Sequence, residues 1–150
     1  MKNLRLIWVG RTKDSFIREG VDRYLDLIRP HARIEIIELR EAAGPDSGVV
    51  RKKEGERILG TTSGFVLLDE AGEEMTSVEF SSFVGSLHGG ATRRDIVIGG
   101  AFGVSEEVKQ AAWRRISLSR MTLTHQMVRL VLLEQIFRAF SIMKGRNYHH

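Results

Sequence analysis

Cysteine is absent from the 150 residues, which excludes a disulfide framework and a thiolate metal site. The two prolines, Pro30 and Pro45, fall where a helical pattern stops and inside a loop. No apolar run approaches the roughly 20 residues that span a bilayer. Met1-Lys2-Asn3-Leu4 leads straight into a strand-like segment, with neither the apolar core nor the small-residue cleavage site of a signal peptide. No His and Asp/Glu spacing indicates a metal. The chain is therefore expected to be cytoplasmic, with no membrane partner and no metal. Repeats and linkers are missing too, so residues 1–150 are expected to form one domain.

What is present is ordinary globular composition, 42% hydrophobic and 28% charged. Lys and Arg number 23 against 19 Asp and Glu, a net +4. That excess favours a polyanionic partner only modestly. Arg11, Lys13, Arg93 and Arg94 are expected to flank the ligand-facing edge.

Leu4–Val9 reads as a strand closed by Gly10. Ile17, Val21, Tyr24, Leu25 and Ile28 then share one helix face, with Asp14 or Ser15 as cap and Pro30 as stop. Ala32–Leu39 alternates as a second strand. Arg40–Gly48 has no periodicity and reads as a loop, and the helix Val49–Leu59 is weakened by Gly55. Phe65–Leu68 is a third strand, ending at Asp69 and a turn at Ala71-Gly72. Thr76 with Glu79 makes a capping box for the next helix. Ile96–Ile98 is a fourth strand, Ser105 caps a short helix, and Ile116–Leu118 is a fifth strand. A last helix spans about Gln126–Met143. Strands alternating with helices predict an α/β fold, a mostly parallel sheet flanked by helices.

In such sheets ligands bind beyond the carboxyl ends of the strands. Three loops qualify: Leu68–Gly72, Gly99–Val104 and Ser117–His125. The middle one, GGAFGVS, lets backbone amides approach a ligand closely. It matches neither G-x-G-x-x-G nor a P-loop, and a tight strand-to-helix turn accounts for its spacing equally well. The last helix is apolar over most of its circumference, so it should be buried on nearly all sides, and a subunit interface is one way to supply that. Arg129 stands apart from its polar stripe of Glu134, Gln135, Arg138 and Ser141, at roughly 110° to 180° around the axis. A cation in the first turn also opposes the helix dipole. A nearby anion would remove both objections; a stem snorkelling to water is the alternative. His125, at the mouth of this helix, suits a base or a packing role equally. The tail, with Arg146, Tyr148, His149 and His150, mixes groups suited to phosphate contact and base stacking.

IGGAFGVS (Ile98–Ser105), SLSRMTLTHQMVRLVLLEQIFRAFSI (Ser117–Ile142) and the terminal YHH (Tyr148–His150) together resemble the ribosomal large subunit pseudouridine methyltransferase H family, part of the SPOUT superfamily of knotted methyltransferases. The likeness runs the length of the chain and includes the LDEAG turn after the third strand. It implies a deep C-terminal trefoil knot that also forms a homodimer interface. It implies S-adenosylmethionine bent in the knot loops, held mostly by backbone groups at Leu68, Gly100, Ser119, Arg120, Met121, Thr122, Leu123 and Thr124, with Gly103 shaping the turn. The implied substrate is a pseudouridine in large-subunit ribosomal RNA, methylated at N3 on assembled ribosomes. The chain departs from some relatives at Thr124, Gln126 and Asn147, where others carry proline.

Transfer to an imide nitrogen requires loss of its proton, so a general base or a field favouring the anion is needed. His125, Tyr148 and His149 are the candidates, and Arg129, with Arg146, is expected to stabilise the anion. The competing expectations are a knotted methyltransferase of another RNA such as tRNA, a non-catalytic ribosome-binding module, and an ordinary nucleotide-binding α/β protein.

Overall fold

Lys2–Val9 forms β1 in a computed structural model that describes residues 2–87 and 94–145. The pleat sends Leu4, Leu6 and Trp8 to one side and Ile7 and Val9 to the other. Ala32–Leu39 (β2), Phe65–Glu74 (β3), Asp95–Ile98 (β4) and Arg114–Ser117 (β5) complete a five-stranded sheet in the order β2-β1-β4-β3-β5. Every neighbouring pair is parallel. β4 lies in the middle, and all four of its residues are buried, as a strand covered on both faces requires.

Two apolar layers follow from the alternation. Helices Ser15–Ile28 (α1), Ser77–Ser86 (α3) and His125–Lys144 (α5) cover the face carrying Leu6, Trp8, Val66, Ile96 and Ile116. Helices Ser47–Thr61 (α2) and Glu106–Ala111 (α4) cover the face carrying Ile7, Val9, Leu67 and Val97, through Ile58 and Val108. At the start of β4, buried Asp95 accepts from Arg5 of β1 at 2.6 Å, which raises the Arg5 pKa.

The caps agree with the sequence at three helices. Thr76 and Glu79 bond reciprocally, which holds the Glu79 carboxyl below its usual range. Ser105 accepts from Val108 N–H, and Asp14 occupies the cap of α1 through its carbonyl, its side chain making no cap bond. Two expectations need correction. The segment expected to stay a loop to Gly48 enters α2 at Ser47, because Asp46 accepts from Val49 N–H at 2.9 Å. The turn expected at Ala71-Gly72 does not end β3, which continues to Glu74. Leu68 and Glu73 both register with Ile116, and the residues between them bulge outward.

α5 buries Leu132, Leu133, Ile136, Ala139 and Phe140 against α1 and α3. Much of the burial its composition demands is thus supplied within the chain. Val128, Leu130, Val131, Phe137 and Ile142 remain half-exposed. Among the described residues no helix is long and apolar enough to cross a membrane.

Candidate functional site

The bulge of β3 and the carboxyl ends of β4 and β5 open onto one cleft of about 830 Å³, within the range of small-molecule sites, roughly 300–1,000 Å³. All three loops singled out from the sequence meet there. Leu68, Asp69 and Glu70 come from the β3 bulge, Gly99–Val104 from the exit of β4, and Leu118, Ser119 and Met121–Thr124 from the exit of β5. Ile98 at the end of β4, Arg51 of α2, Glu106 and Lys109 of α4, and His125 and Val128 of α5 complete the lining.

Local chemistry sets each loop. Gly103 has φ +80°, the left-handed region that favours glycine, and donates to the Gly100 carbonyl at 3.0 Å to close the turn. In the β5 exit, Ser119 Oγ accepts from Met121 N–H at 3.0 Å, and Thr124 Oγ1 caps α5 by accepting from Met127 N–H at 3.1 Å. The exit is also stapled to the bulge. Thr122 donates to Glu70 at 2.7 Å, Arg120 pairs with Glu74 at 3.0 Å and Arg115 with Asp69 at 3.4 Å. Of the predicted cofactor contacts, Leu68, Gly100, Gly103, Ser119, Met121, Thr122, Leu123 and Thr124 line the cleft. Arg120 does not, its guanidinium being directed to Glu74.

His125 lies on the cleft wall, and Arg129 one turn along is fully buried just outside it. The Arg129 guanidinium donates to the Val9 carbonyl at 2.8 Å and to Thr12 Oγ1 at 2.9 Å, and lies 4.8 Å from the centre of the Trp8 ring. The stem therefore does not snorkel to water. The anions that favour its charge are the chain's own Glu38 and Glu41; burial outweighs them and holds its pKa down to about 10, so it stays charged at neutral pH. Burial and the Arg129 charge together push the His125 pKa below its usual value. Tyr148, His149, Arg146 and Arg93 lie outside the described residues. Arg94 is not at the ligand-facing edge: it lies over the ring of Trp113, whose backbone N–H donates to the Phe65 carbonyl at the opposite end of the sheet. Lys13 does not line the cleft; its ammonium pairs with Glu41 at 3.1 Å and its backbone N–H bonds Gln126 at the start of α5.

Two residues of this region were not read from the sequence as part of a site. Gln126 bridges the start of α5 to the Arg11–Lys13 segment. Glu54 is buried under the glycine loop, where its Oε1 lies 2.6 Å from the position a Gly100 Cβ would take. Its other oxygen accepts from Ala42 N–H at 3.1 Å, and Oε1 has no hydrogen-bond partner among the described residues. Helical spacing held the signal, since Val50, Glu54 and Ile58 share the buried face of α2.

Burial raises the Glu54 pKa above its usual value. The folded state therefore binds the proton more tightly than the unfolded chain, and stability falls as pH rises between the unfolded and folded values. Glu54→Gln keeps the acceptor for Ala42 and removes the buried charge. It is expected to melt at or above the native temperature at pH 7, the difference shrinking as pH is lowered into the ordinary carboxylate range. Thermal melts of both proteins across that range are the check; a variant equally destabilised at every pH would contradict it.

Among the described residues no group of three or more His, Asp or Glu side chains is placed to hold a metal. Residues 1–149 match the family model described as "Predicted SPOUT methyltransferase". The chain is 47% identical to "Ribosomal RNA large subunit methyltransferase H" of Geobacter sp. (strain M21), over 98% of each. It is 44% identical to the protein of the same name from Geobacter sulfurreducens, over 98% of this chain and 99% of that one. The namesake from Thermodesulfovibrio yellowstonii is 41% identical over the full length of both.

Proposed function

The chain belongs to the SPOUT methyltransferase family, and from that premise we propose that it moves a methyl group from S-adenosylmethionine to N3 of a pseudouridine in large-subunit ribosomal RNA on assembled ribosomes. The observation that carries this reading is the meeting of Leu68, Gly100, Gly103, Ser119 and Met121–Thr124 on one cleft. Full-length likeness to proteins named as large-subunit ribosomal RNA methyltransferases supports the substrate.

The cleft suits the donor on its own terms. Its size accommodates a nucleoside carrying an amino-acid arm, and it offers both signs of charge, Asp69, Glu70 and Glu106 against Arg51 and Lys109. When bound, S-adenosylmethionine supplies a methyl group on a sulfonium centre that needs no metal to activate it. The chain's part is to fix donor and nucleophile in line at close range. The glycine loop gives backbone access, and the staples between the β3 bulge and the β5 exit keep the two walls in register. A base takes the imide proton, with His125, Tyr148 and His149 as candidates. Arg129 contributes as a buried positive charge one turn from His125, its field favouring the imide anion.

The trefoil knot and the homodimer belong to the same reading. The half-exposed apolar residues of α5, with exposed Phe16 on α1 and Met121 at the cleft, supply apolar surface for a second copy. The protein is expected in the cytoplasm, where ribosomes are.

The test uses labelled S-adenosylmethionine with intact ribosomes that lack the modification, and with free ribosomal RNA and tRNA alongside. Label should enter intact ribosomes alone and map to one pseudouridine. Label in tRNA would overturn the substrate, and cofactor binding without transfer to any RNA would overturn the activity. Light scattering on the same preparation should give twice the 17.0 kDa of one chain; a monomer that still transfers methyl would remove the dimer from the reading.

A further inference from the structure

Gln126 uses its whole side-chain amide. Its Oε1 accepts from the Lys13 backbone N–H at 2.8 Å. Its Nε2 lies 2.9 Å from the Arg11 carbonyl oxygen and 3.3 Å from Nε2 of His125. The residue is only 7% exposed, so water does not compete for these contacts. A backbone N–H can only donate and a carbonyl can only accept, so the two backbone contacts fix which end of the amide is oxygen. That leaves the amide nitrogen with two hydrogens, one for Arg11 and one for His125. A ring nitrogen that receives an N–H must present a lone pair. Nε2 of His125 is therefore unprotonated, and the ring proton sits on Nδ1.

We propose that Gln126 is a positioning residue that holds His125 as the neutral Nδ1–H tautomer, so that His125 serves the cleft as a hydrogen-bond donor and not as the proton acceptor.

The surroundings agree with a neutral ring. Burial, Arg129 on the same helix and Lys13 beyond β1 all oppose a second proton, and Glu41 alone favours it. Protonating Nε2 would also set two N–H groups against each other across 3.3 Å. With Nε2 engaged, Nδ1–H is the group His125 can offer a ligand. In methyl transfer its acceptor is a base carbonyl oxygen adjoining the imide nitrogen, where negative charge gathers as the N3 proton leaves. His125 thereby drops out as the base, leaving Tyr148 and His149 of the earlier candidates. This catalytic role rests on the methyltransfer reading; the tautomer does not.

Long-range nitrogen–proton correlation NMR on the full chain at neutral pH reads the tautomer directly. The native protein should show His125 with Nδ1 protonated and Nε2 bare. Gln126→Glu replaces the donor with an acceptor. It should move the proton to Nε2 and raise the His125 titration by about one pH unit or more. Gln126→Met, which has no donor, should mix the tautomers. Protonated Nε2 in the native spectrum would overturn the proposal, as would an unchanged tautomer in both variants. If the variants do not fold, the native spectrum alone decides.

The catalytic half is read on ribosomes. His125→Asn retains a donor amide and should keep kcat within about tenfold of native, whereas His125→Leu should lose about a hundredfold or more. Equal loss in both overturns the donor role. No transfer by the native enzyme would instead refute the methyltransfer reading, and the NMR result would still decide the tautomer.

Discussion

Arg129→Ala is expected to lower the free energy of unfolding by about 3–5 kcal/mol, read as a fall of roughly 6–20 °C in Tm for a chain of this size. The side chain is fully buried and fills a volume that alanine leaves empty. Its removal also strips the Val9 carbonyl and the Thr12 hydroxyl of charge-assisted donors and uncovers the Trp8 ring. Arg129→Lys should recover part of the loss, because one ammonium keeps the charge but cannot reproduce the planar fork toward both partners. Differential scanning calorimetry is the measurement. A melting point for Arg129→Ala within about 2 °C of native would mean that these buried contacts contribute almost nothing. In the folded fraction, transfer should fall further than cofactor affinity. Equal losses of the two would remove Arg129 from the catalytic apparatus and leave it a structural residue.

Gly72→Val should damage the cleft from the other side. A Cβ at Gly72 would stand 2.7 Å from the carbonyl group of Arg115 and from Ile116 N. Those are backbone atoms, so no rotamer change relieves the clash and β5 must move away from the β3 bulge. The Thr122–Glu70 and Arg120–Glu74 staples then lose their alignment, and the two cleft walls with them. The expected cost is about 1–3 kcal/mol of stability and at least a tenfold weaker S-adenosylmethionine affinity, equivalent to about 1.4 kcal/mol. Gly60→Ala is the control, because a Cβ there meets nothing within 4 Å. It should leave affinity unchanged and stability equal or slightly higher, alanine being the better helix former. Isothermal titration of all three proteins separates the outcomes; native affinity in Gly72→Val would show that the bulge does not support the site.

What the sequence made legible was local. Apolar runs, alternation, helical spacing and caps located the five strands and five helices of the described residues, and β2 matched the expected range residue for residue. The capping box at Thr76 was readable because both partners sit three residues apart. The start of α2 was misread locally, where Asp46 caps Val49 N–H; the other misreadings came where a distant segment decides the outcome. Gly55 looked like a weak point in a helix. It lies where α2 crosses the start of α4, and a Cβ there would come within 2.6 Å of Ser105 Oγ. Ala71-Gly72 looked like a turn because Asp69 does accept from Ala71 N–H, an Asx turn. Pairing with β5 then carries the strand past it. The cleft was legible as three segments expected beyond strand ends, and the resemblance named the residues in them expected to hold a cofactor. Gln126 was not, since an amide's partners 113 and 115 residues away leave no local trace.

The same long reach has a kinetic consequence. Gln126 and Arg129 hold the Val9–Lys13 segment across 113 to 120 residues of sequence, and β3 must wait for β5 before its bulge is braced. Closing such large loops costs entropy before any contact rewards it, so topology of this kind folds slowly. The cleft, which draws on segments from Arg51 to Val128, is therefore expected to assemble late in folding. On the proposed reading, methyl-donor binding would then require the β5 exit and the start of α5 to have docked against the sheet, since both line the cleft.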